Sequence, residues 1–195
     1  MANIAFDIDG TITDYHGFVK SKVNEFTEKT GMSCSYFRDV YGGIVFNERG
    51  AENKFWEMYA EEYLNIPILP EARAAITALQ KAHHRIYFIS ARTNTGWGRD
   101  YDTSFDISIR TLRWLADQGI FYDGMVCTLG ACKVHWLELW NVDSMIEDWA
   151  FPTSSFPRCS MYQLDKPYNR NHDYGTRVHS LNEFCHKMLR QYPSV

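Results

Sequence analysis

The chain has 195 residues, of which 45% are hydrophobic and 23% are charged, and its 20 lysines and arginines oppose 24 aspartates and glutamates. This balance is typical of a globular domain and excludes a disordered chain, while the net charge of −4 argues against broad binding to nucleic acid polymers or anionic membranes. The length predicts one main domain, with room for a small insertion.

The apolar segments and the cysteines of the sequence predict the compartment and the redox state of the protein. No apolar run approaches the ~20 residues that span a bilayer, and no charged and apolar leader opens the chain, so we expect a cytoplasmic protein. The five cysteines are irregularly spaced without a Cys-x-x-Cys pair, which predicts reduced thiols rather than a disulfide framework or a zinc site. The sequence leaves open whether the chain acts as a monomer or a homodimer.

The first predicted strand covers about residues 2–7, and an aromatic-rich block follows it. Apolar residues at helical spacing predict one helix that ends near Gly31 and another over residues 51–64, with a loop at residues 41–46 between them. We interpret residues 14–69 as a small helical cap inserted after the first strand.

The rest of the chain alternates strands with helices. Buried runs at residues 85–89, 124–127, 143–146 and 159–164 predict four further strands, and amphipathic segments between and after them predict helices. This alternation indicates an α/β protein with a three-layer α/β/α, Rossmann-like parallel sheet. The core domain would combine residues 1–13 with residues 70–195.

Two carboxylates, Asp7 and Asp9, directly follow the apolar run Ile4-Ala5-Phe6, and the turn residues Gly10 and Thr11 come after them. Burying such charges is costly without a partner, and a hard divalent cation with oxygen ligands compensates them. Carboxylate and metal sites suit phosphate chemistry, because an ionised aspartate can attack phosphorus. Gly10 would allow a tight turn, and Thr11 would bring main-chain N–H groups towards an anion. The alternative is a strand with an ordinary Asp-Gly turn.

The other predicted strands also end at polar residues. Ser90 follows the strand at 85–89, Lys133 lies beyond the next strand, and Glu147 and Asp148 follow the fourth. Because ligands gather at the carboxyl ends of parallel strands, Ser90 and Lys133 would hold a phosphoryl group and the acidic pair would complete a magnesium site. Each residue alone has an ordinary explanation as a loop cap, a surface lysine or a helix-terminal acid, but together they favour catalysis.

In their order along about residues 1–150, these motifs resemble the haloacid dehalogenase-like (HAD) superfamily of phosphatases. Within it, the chain resembles the type C 5′(3′)-deoxyribonucleotidases and their bacterial relatives. The features behind this narrower resemblance are the helical insert, Ile89-Ser90-Ala91-Arg92, Ile146-Glu147-Asp148 and Lys166-Pro167-Tyr168-Asn169. The resemblance implies a HAD-like fold and a Mg²⁺ cofactor.

The resemblance also implies roles for the acidic residues. Asp7 would be the nucleophile and a metal ligand. Asp9 would protonate the leaving oxygen, then activate water, and would bind the metal through its main-chain carbonyl. Asp148 is the first choice for the third protein ligand and Glu147 the second, because adjacent residues on a strand point in opposite directions.

Substrate selection is assigned to the cap and to the strand ends. Phe18, Tyr41 and Phe46 would stack on a nucleobase, and Arg92 would contact a phosphate or sugar beside Ala91. The alternative for each aromatic residue is packing within the core or cap.

The sequence therefore predicts a magnesium-dependent phosphomonoesterase that acts through an aspartyl-phosphate intermediate on a small phosphorylated metabolite, with nucleoside monophosphates as the first hypothesis. One alternative is a phosphatase for another small metabolite such as a sugar phosphate. The other is a catalytically idle binding module on the same fold. Neither a nucleic acid polymer nor a membrane is expected as a partner.

Overall fold

Six parallel strands form the central sheet in the part of the chain that the computed structural model describes, which is residues 1–40, 42–92, 103–149 and 158–193. In chain order the elements are β1 (Asn3–Phe6), α1 (Tyr15–Thr30), β2 (Cys34–Tyr36), β3 (Ile44–Phe46), α2 (Ala51–Leu64), α3 (Pro70–Lys81), β4 (Arg85–Ser90), α4 (Thr103–Asp117), β5 (Gly124–Cys127), α5 (Lys133–Leu139), β6 (Ser144–Glu147), β7 (Ser160–Leu164), β8 (Thr176–Val178) and α6 (Leu181–Gln191). Short 3₁₀ helices cover Gly130–Cys132 and Pro167–Asn169.

The strand order β5-β4-β1-β6-β7-β8 places β1 at the centre of the sheet. Phe6, the last residue of β1, pairs with Phe88 of β4 on one side and with Ile146 of β6 on the other. Strand order reverses at β1, which is the position where open parallel sheets bind ligands beyond their carboxyl ends. The topology therefore brings the residues after β1, β4 and β6 to one edge of the sheet.

Alternate side chains of the strands face two hydrophobic layers, as the period of a strand requires. Phe6 belongs to the layer that includes residues of α3 and α6, and its ring lies 5.5 Å from that of Phe184. Its neighbour Ala5 belongs to the opposite layer, together with Leu137 of α5. Helices thus cover both faces, and the predicted three-layer parallel α/β fold is confirmed.

The segment between β1 and α3, called the insert below, has its own hydrophobic cluster. In this cluster Val19, Val23 and Phe26 of α1 pack with Phe55 and other residues of α2. The prediction of a loop at residues 41–46 is wrong in part, because Ile44–Phe46 is β3, which pairs with β2 as an antiparallel ribbon. Three-residue strands give too short an alternation to be recognised from sequence. The limits 14–69 for an inserted cap stay a prediction.

The prediction of five core strands misses β8, whose sequence Thr176-Arg177-Val178 contains one buried apolar residue. Tyr41, one of the predicted stacking residues, lies outside the described residues. Of the helices that the structure describes, none combines the length and the apolar character needed to cross a membrane.

Candidate active site

A cavity of about 130 Å³ lies at the edge of the sheet where β1, β4 and β6 end. The strand ends contribute Asp7, Asp9, Ser90, Lys133, Glu147 and Asp148 to its lining. The sequence predicted that these six side chains would meet, and the structure brings them together around one space. Ala91 also lines the cavity, whereas Gly10 and Thr11 lie beside it, against Asp148.

A buried ion-pair cluster occupies the floor of this cavity. The Lys133 ammonium donates a hydrogen bond to Asp7 Oδ1 at 2.6 Å and another to Glu147 Oε2. Burial raises the pKa of Asp7 to about 7; the Lys133 charge opposes this shift, and the carboxylates of Asp148 and Asp9 add to it. Burial also raises the pKa of Glu147 well above its usual range. Lys133 loses basicity through burial, but the two carboxylates outweigh this effect and raise its pKa overall, so the lysine stays charged.

Asp148 is held in place from several sides. Its carboxylate accepts hydrogen bonds from the Thr11 hydroxyl at 3.3 Å and from the Tyr168 hydroxyl. Its main-chain carbonyl accepts from Asn169 Nδ2 at 2.8 Å and from the Tyr174 hydroxyl at 3.2 Å. The sequence singled out Tyr168 and Asn169 only as part of the segment Lys166-Pro167-Tyr168-Asn169 and gave them no role in the site, but in the structure they fix the turn that presents Asp148.

Asp7, Glu147 and Asp148 form a cluster of three buried carboxylates whose ligand atoms lie within 4.8 Å of one another. A set made only of carboxylate oxygens is the donor chemistry that a hard cation such as Mg²⁺ prefers, so the residues present fit that ion. Both Glu147 and Asp148 line the cavity. The expectation that neighbouring residues point in opposite directions does not apply here, because β6 ends at Glu147.

Asp9 has different partners from Asp7. Arg92 Nε donates to both carboxylate oxygens of Asp9, at 3.2 and 2.9 Å, and Arg92 Nη2 donates to Oδ1 at 2.8 Å. The Tyr63 hydroxyl donates to Oδ2 of Asp9 at 2.6 Å. Burial and the neighbouring Asp9 charge raise the pKa of Tyr63 well above its usual range, so its hydroxyl keeps the proton that it donates.

Most of the residues predicted as substrate contacts lie away from the cavity that the strand-end residues line. Arg92 was expected to contact a phosphate or sugar, but its buried guanidinium is directed to Asp9 instead. Phe18 packs beside Tyr63 with ring centroids 6.2 Å apart, and Phe46 packs beside Phe55 at 5.6 Å. Neither phenylalanine lines the cavity among the described residues, because their apolar rings are used to cover the insert's own core.

Four insert residues that the sequence did not single out line the cavity, namely Tyr15, His16, Gly42 and Tyr63. The His16 ring stacks on the Tyr168 ring with centroids 4.5 Å apart and an interplanar angle of 8°. Burial lowers the pKa of His16. Tyr15 and His16 directly follow Asp14, which caps α1, so their nearness to the motif was a usable signal. Tyr63 lies 54 residues from Asp9 in the sequence, so its position gave no such signal.

Replacement of Gly10 by alanine is expected to disable the site. Gly10 has a φ of +79°, and a Cβ atom there would lie 2.2 Å from Asp148 Oδ2. The substitution must strain the backbone and displace Asp148, and we expect at least a tenfold loss of magnesium affinity, on the order of that seen when ligand-supporting residues are removed. Calorimetric titration with Mg²⁺ measures this loss.

Gly31→Ala is the matched control, because Gly31 has a φ of +69° but a Cβ atom there would meet nothing within 4 Å among the described residues beyond its own helix and chain neighbours. Like Gly10→Ala, it should lower the free energy of unfolding by roughly 1 kcal/mol through backbone strain, but it should leave the magnesium affinity unchanged. Equal affinities for the two variants would show that Gly10 does not support Asp148.

The sequence matches no protein-family model and no curated protein. The fold is similar to that of a haloacid dehalogenase-like family hydrolase from Streptococcus pneumoniae (14% identity, TM-score 0.65, covering 96% of this chain and 98% of that one). It is also similar to a HAD family hydrolase from Deinococcus radiodurans with bound phosphate and sodium (11% identity, TM-score 0.65, 97% and 96% covered). A third similar structure is D,D-heptose 1,7-bisphosphate phosphatase from B. bronchiseptica with magnesium and phosphate (14% identity, TM-score 0.54, 98% and 99% covered). At these identities the likeness establishes a HAD-like fold.

Proposed function

We propose that the protein is a magnesium-dependent phosphomonoesterase that uses Asp7 as its nucleophile. The observation that carries this proposal is the meeting of Asp7, Asp9, Ser90, Lys133 and Asp148 around one cavity. A binding module without catalysis would gain nothing from a buried cluster in which three carboxylates oppose one lysine, because such charges are costly to desolvate. The similar hydrolase and phosphatase structures support the same reading.

The reaction has two steps at phosphorus. A carboxylate oxygen of Asp7 attacks the phosphoryl group, so that a new bond to phosphorus forms while the ester bond breaks. Asp9, which must first exchange a hydrogen bond from Arg92 or Tyr63 for a proton, gives that proton to the leaving oxygen. Asp9 then takes a proton from water, which attacks phosphorus and releases inorganic phosphate and free Asp7. Lys133 and Ser90 hold the phosphoryl oxygens throughout.

The carboxylates of Asp7 and Asp148 would hold Mg²⁺, with the main-chain carbonyl of Asp9, and Glu147 is a further candidate ligand. When bound, this ion neutralises charge on the phosphoryl oxygens. Glu147 also hydrogen-bonds Lys133, and this contact keeps the ammonium directed towards Asp7.

Magnesium affinity is expected to depend on pH below neutrality. The pKa of Asp7 in the metal-free protein is about 7, so a proton competes with the metal for this carboxylate in acid. Affinity should therefore rise with pH up to about 7, by as much as tenfold per unit for one competing proton, and level off above it. Isothermal titration calorimetry between pH 5.5 and 8.5 measures this dependence.

The stability of the metal-free protein is expected to change with pH in the opposite direction to the magnesium affinity. A carboxylate whose pKa is raised by folding binds its proton more tightly in the folded state, so stability falls as pH rises from about 4 to 7 and stays low above. Saturating Mg²⁺ should consequently raise the unfolding temperature more at pH 8 than at pH 6. A magnesium effect that is equal at both pH values contradicts the assignment of Asp7 as a ligand.

We further propose nucleoside monophosphates as the substrate class, with sugar phosphates as the second candidate. The cavity of about 130 Å³ is smaller than the roughly 300 Å³ or more of typical ligand pockets, so it suits the phosphoryl group while the leaving group lies towards the insert. The aromatic rings of Tyr15 and His16 at that side of the cavity offer stacking surfaces for a base. The likeness to a heptose bisphosphate phosphatase favours the second candidate.

A panel of phosphate esters separates these classes. Phosphate release would be compared for nucleoside 5′- and 3′-monophosphates, their deoxy forms, hexose phosphates and p-nitrophenyl phosphate, each with Mg²⁺. The nucleotide proposal expects the highest kcat/KM with a nucleoside monophosphate, and a higher value with hexose phosphates overturns it. Absence of release from every ester contradicts the phosphomonoesterase proposal itself.

A further inference from the structure

A second cavity, of about 140 Å³, adjoins the cavity that Asp7 and Asp148 line. We call it the distal cavity and the other one the strand-end cavity. Tyr15 and His16 line both, so the two cavities meet at these residues. The other side chains that decide the chemistry of the distal cavity are Asp14, Tyr36, Arg38, Lys166 and Tyr168. The distal cavity therefore lies between the insert and the segment that follows β7, beside the proposed site of phosphoryl transfer.

His16 connects the two cavities. Its ring stacks on Tyr168, whose hydroxyl donates a hydrogen bond to Asp148 in the strand-end cavity. Its Nδ1 lies 3.4 Å from the hydroxyl of Tyr36, which lines the distal cavity. Burial lowers the pKa of His16; the Asp148 carboxylate opposes this shift, and the Lys166 ammonium adds to it. The ring is thus within electrostatic reach of a candidate metal ligand and of a cation of the distal cavity.

Arg38 and Lys166 bring two positive charges to the distal cavity. Within the described ranges of the chain, neither of these cations forms an ion pair. Among the described lining residues, the one carboxylate is that of Asp14, whose Oδ1 caps α1 by accepting a hydrogen bond from Gly17 N at 2.9 Å. The exposed Asp39, next to Arg38, is not among these lining residues. Two unpaired cations thus face one carboxylate that already has a partner.

The two cavities favour different parts of a bound molecule. The described lining of the strand-end cavity has four carboxylates and one lysine, so it suits the phosphoryl group that Lys133 and Mg²⁺ would bind but repels a further anion. A guanidinium and an ammonium bind phosphate or carboxylate oxygens by charge-assisted hydrogen bonds. A leaving group that extends past Tyr15 and His16 would bring an anionic group of its own to Arg38 and Lys166.

We propose that the distal cavity binds a second anionic group of the substrate, so that the preferred substrates are phosphate monoesters whose leaving group carries a further phosphate or carboxylate. This proposal rests on the proposed phosphomonoesterase function and specifies which esters are hydrolysed best. Among nucleotides it favours nucleoside 3′,5′-bisphosphates over monophosphates, and among sugars it favours hexose bisphosphates over hexose phosphates. Tyr15 and His16 would contact the base or sugar between the two anions.

Matched pairs of esters test this proposal. Phosphate release with Mg²⁺ is compared for a nucleoside 5′-monophosphate and its 3′,5′-bisphosphate, and for glucose 6-phosphate and glucose 1,6-bisphosphate. The second phosphate should raise kcat/KM at least about tenfold in one pair or in both, which is the gain expected from a hydrogen bond between charged groups. The pair that shows the gain identifies a nucleotide or a sugar as the carrier of the second anion.

The double variant Arg38→Gln/Lys166→Gln removes both charges but keeps the main-chain N–H of residue 166, which donates to Asn169 Oδ1. The two esters of a pair should then differ by less than about threefold in kcat/KM, because an amide forms no charge-assisted hydrogen bond. Arg49→Gln is the matched control, since Arg49 is an exposed arginine of the insert that is not among the described residues lining either cavity. It should keep the wild-type gain. Circular dichroism and magnesium-dependent binding of inorganic phosphate verify that each variant is folded and keeps the strand-end site.

The outcomes separate this proposal from the proposed function. If the wild type hydrolyses these esters and the second phosphate gives no gain in either pair, the proposal is overturned. A gain that persists in the double variant, or that is lost equally in Arg49→Gln, also overturns it. If the wild type hydrolyses neither these esters nor p-nitrophenyl phosphate with Mg²⁺, the proposed function fails instead.

Discussion

Asp7→Asn is expected to abolish turnover, with kcat reduced by roughly 10⁴-fold or more for every phosphate ester that the wild type hydrolyses. The amide cannot attack phosphorus, so the covalent intermediate cannot form. The substitution also removes one of three clustered carboxylates and a partner of Lys133. We therefore expect weaker magnesium binding in addition to the loss of chemistry.

The fold of this variant should survive, because the amide has nearly the same shape as the carboxylate and the removed charge was buried. Asp117→Asn, at the exposed end of α4, is a control that changes the same functional group without touching the site. Phosphate release with p-nitrophenyl phosphate and Mg²⁺ measures both variants. Substantial turnover by folded Asp7→Asn would exclude Asp7 as the nucleophile.

Lys133→Met is expected to cause the largest loss of stability. Lys133 is the cation that compensates Asp7 and Glu147, and all three side chains are almost completely buried. Removal of one partner from such a cluster typically costs about 3–5 kcal/mol, because the remaining charges are left without compensation. We expect this cost at pH 8 in the absence of Mg²⁺, measured by urea unfolding.

The loss should be smaller at pH 5.5. Without Lys133, the already raised pKa values of Asp7 and Glu147 rise further, and both groups become neutral in mild acid. Magnesium should restore part of the stability at pH 8 by replacing the missing positive charge. Lys29→Met removes the exposed Lys29–Glu25 pair and should change stability by less than about 1 kcal/mol at either pH. A stability loss for Lys133→Met that is as small as the loss for Lys29→Met contradicts the proposed role of Lys133 in compensating the buried carboxylates.

The meeting of the candidate site residues was predictable because they occur at the ends of the strands. Asp7, Ser90 and Glu147 each follow or end an apolar run, and in a parallel sheet this position alone determines where the side chains meet. The three-layer arrangement was predictable for a different reason, because strands alternate with amphipathic helices along most of the chain. No distance information was needed for either prediction.

Residues that act through long-range side-chain contacts were not predictable in this way. Tyr63 reaches Asp9 from the far end of α2, and the sequence pattern showed only that it belongs to an amphipathic helix. Arg92 looked like a substrate contact because it follows Ser90, but its direction depends on the packing of Trp114 and Tyr63 around it. The role of Asn169 likewise depends on its bond to the main chain of Asp148.

The three-residue strands could not be predicted for a simpler reason. Thr176–Val178 and the β2–β3 ribbon are too short to show a reliable alternation of polar and apolar residues. The predicted stacking residues Phe18 and Phe46 illustrate a further limit, since an aromatic residue in an inserted segment has the same sequence signal whether it packs in a core or contacts a ligand.

The central claim, a phosphoryl group carried by Asp7, is tested most directly by trapping that group on Asp9→Asn during reaction with p-nitrophenyl phosphate and Mg²⁺. This variant retains the nucleophile but lacks the base that activates water, so the intermediate should accumulate. We predict a burst of p-nitrophenol close to one equivalent per protein, with borohydride reduction converting residue 7 to homoserine in the mapped peptide. A phosphoryl group on another residue, or release of p-nitrophenol without any modification of residue 7, would contradict the account.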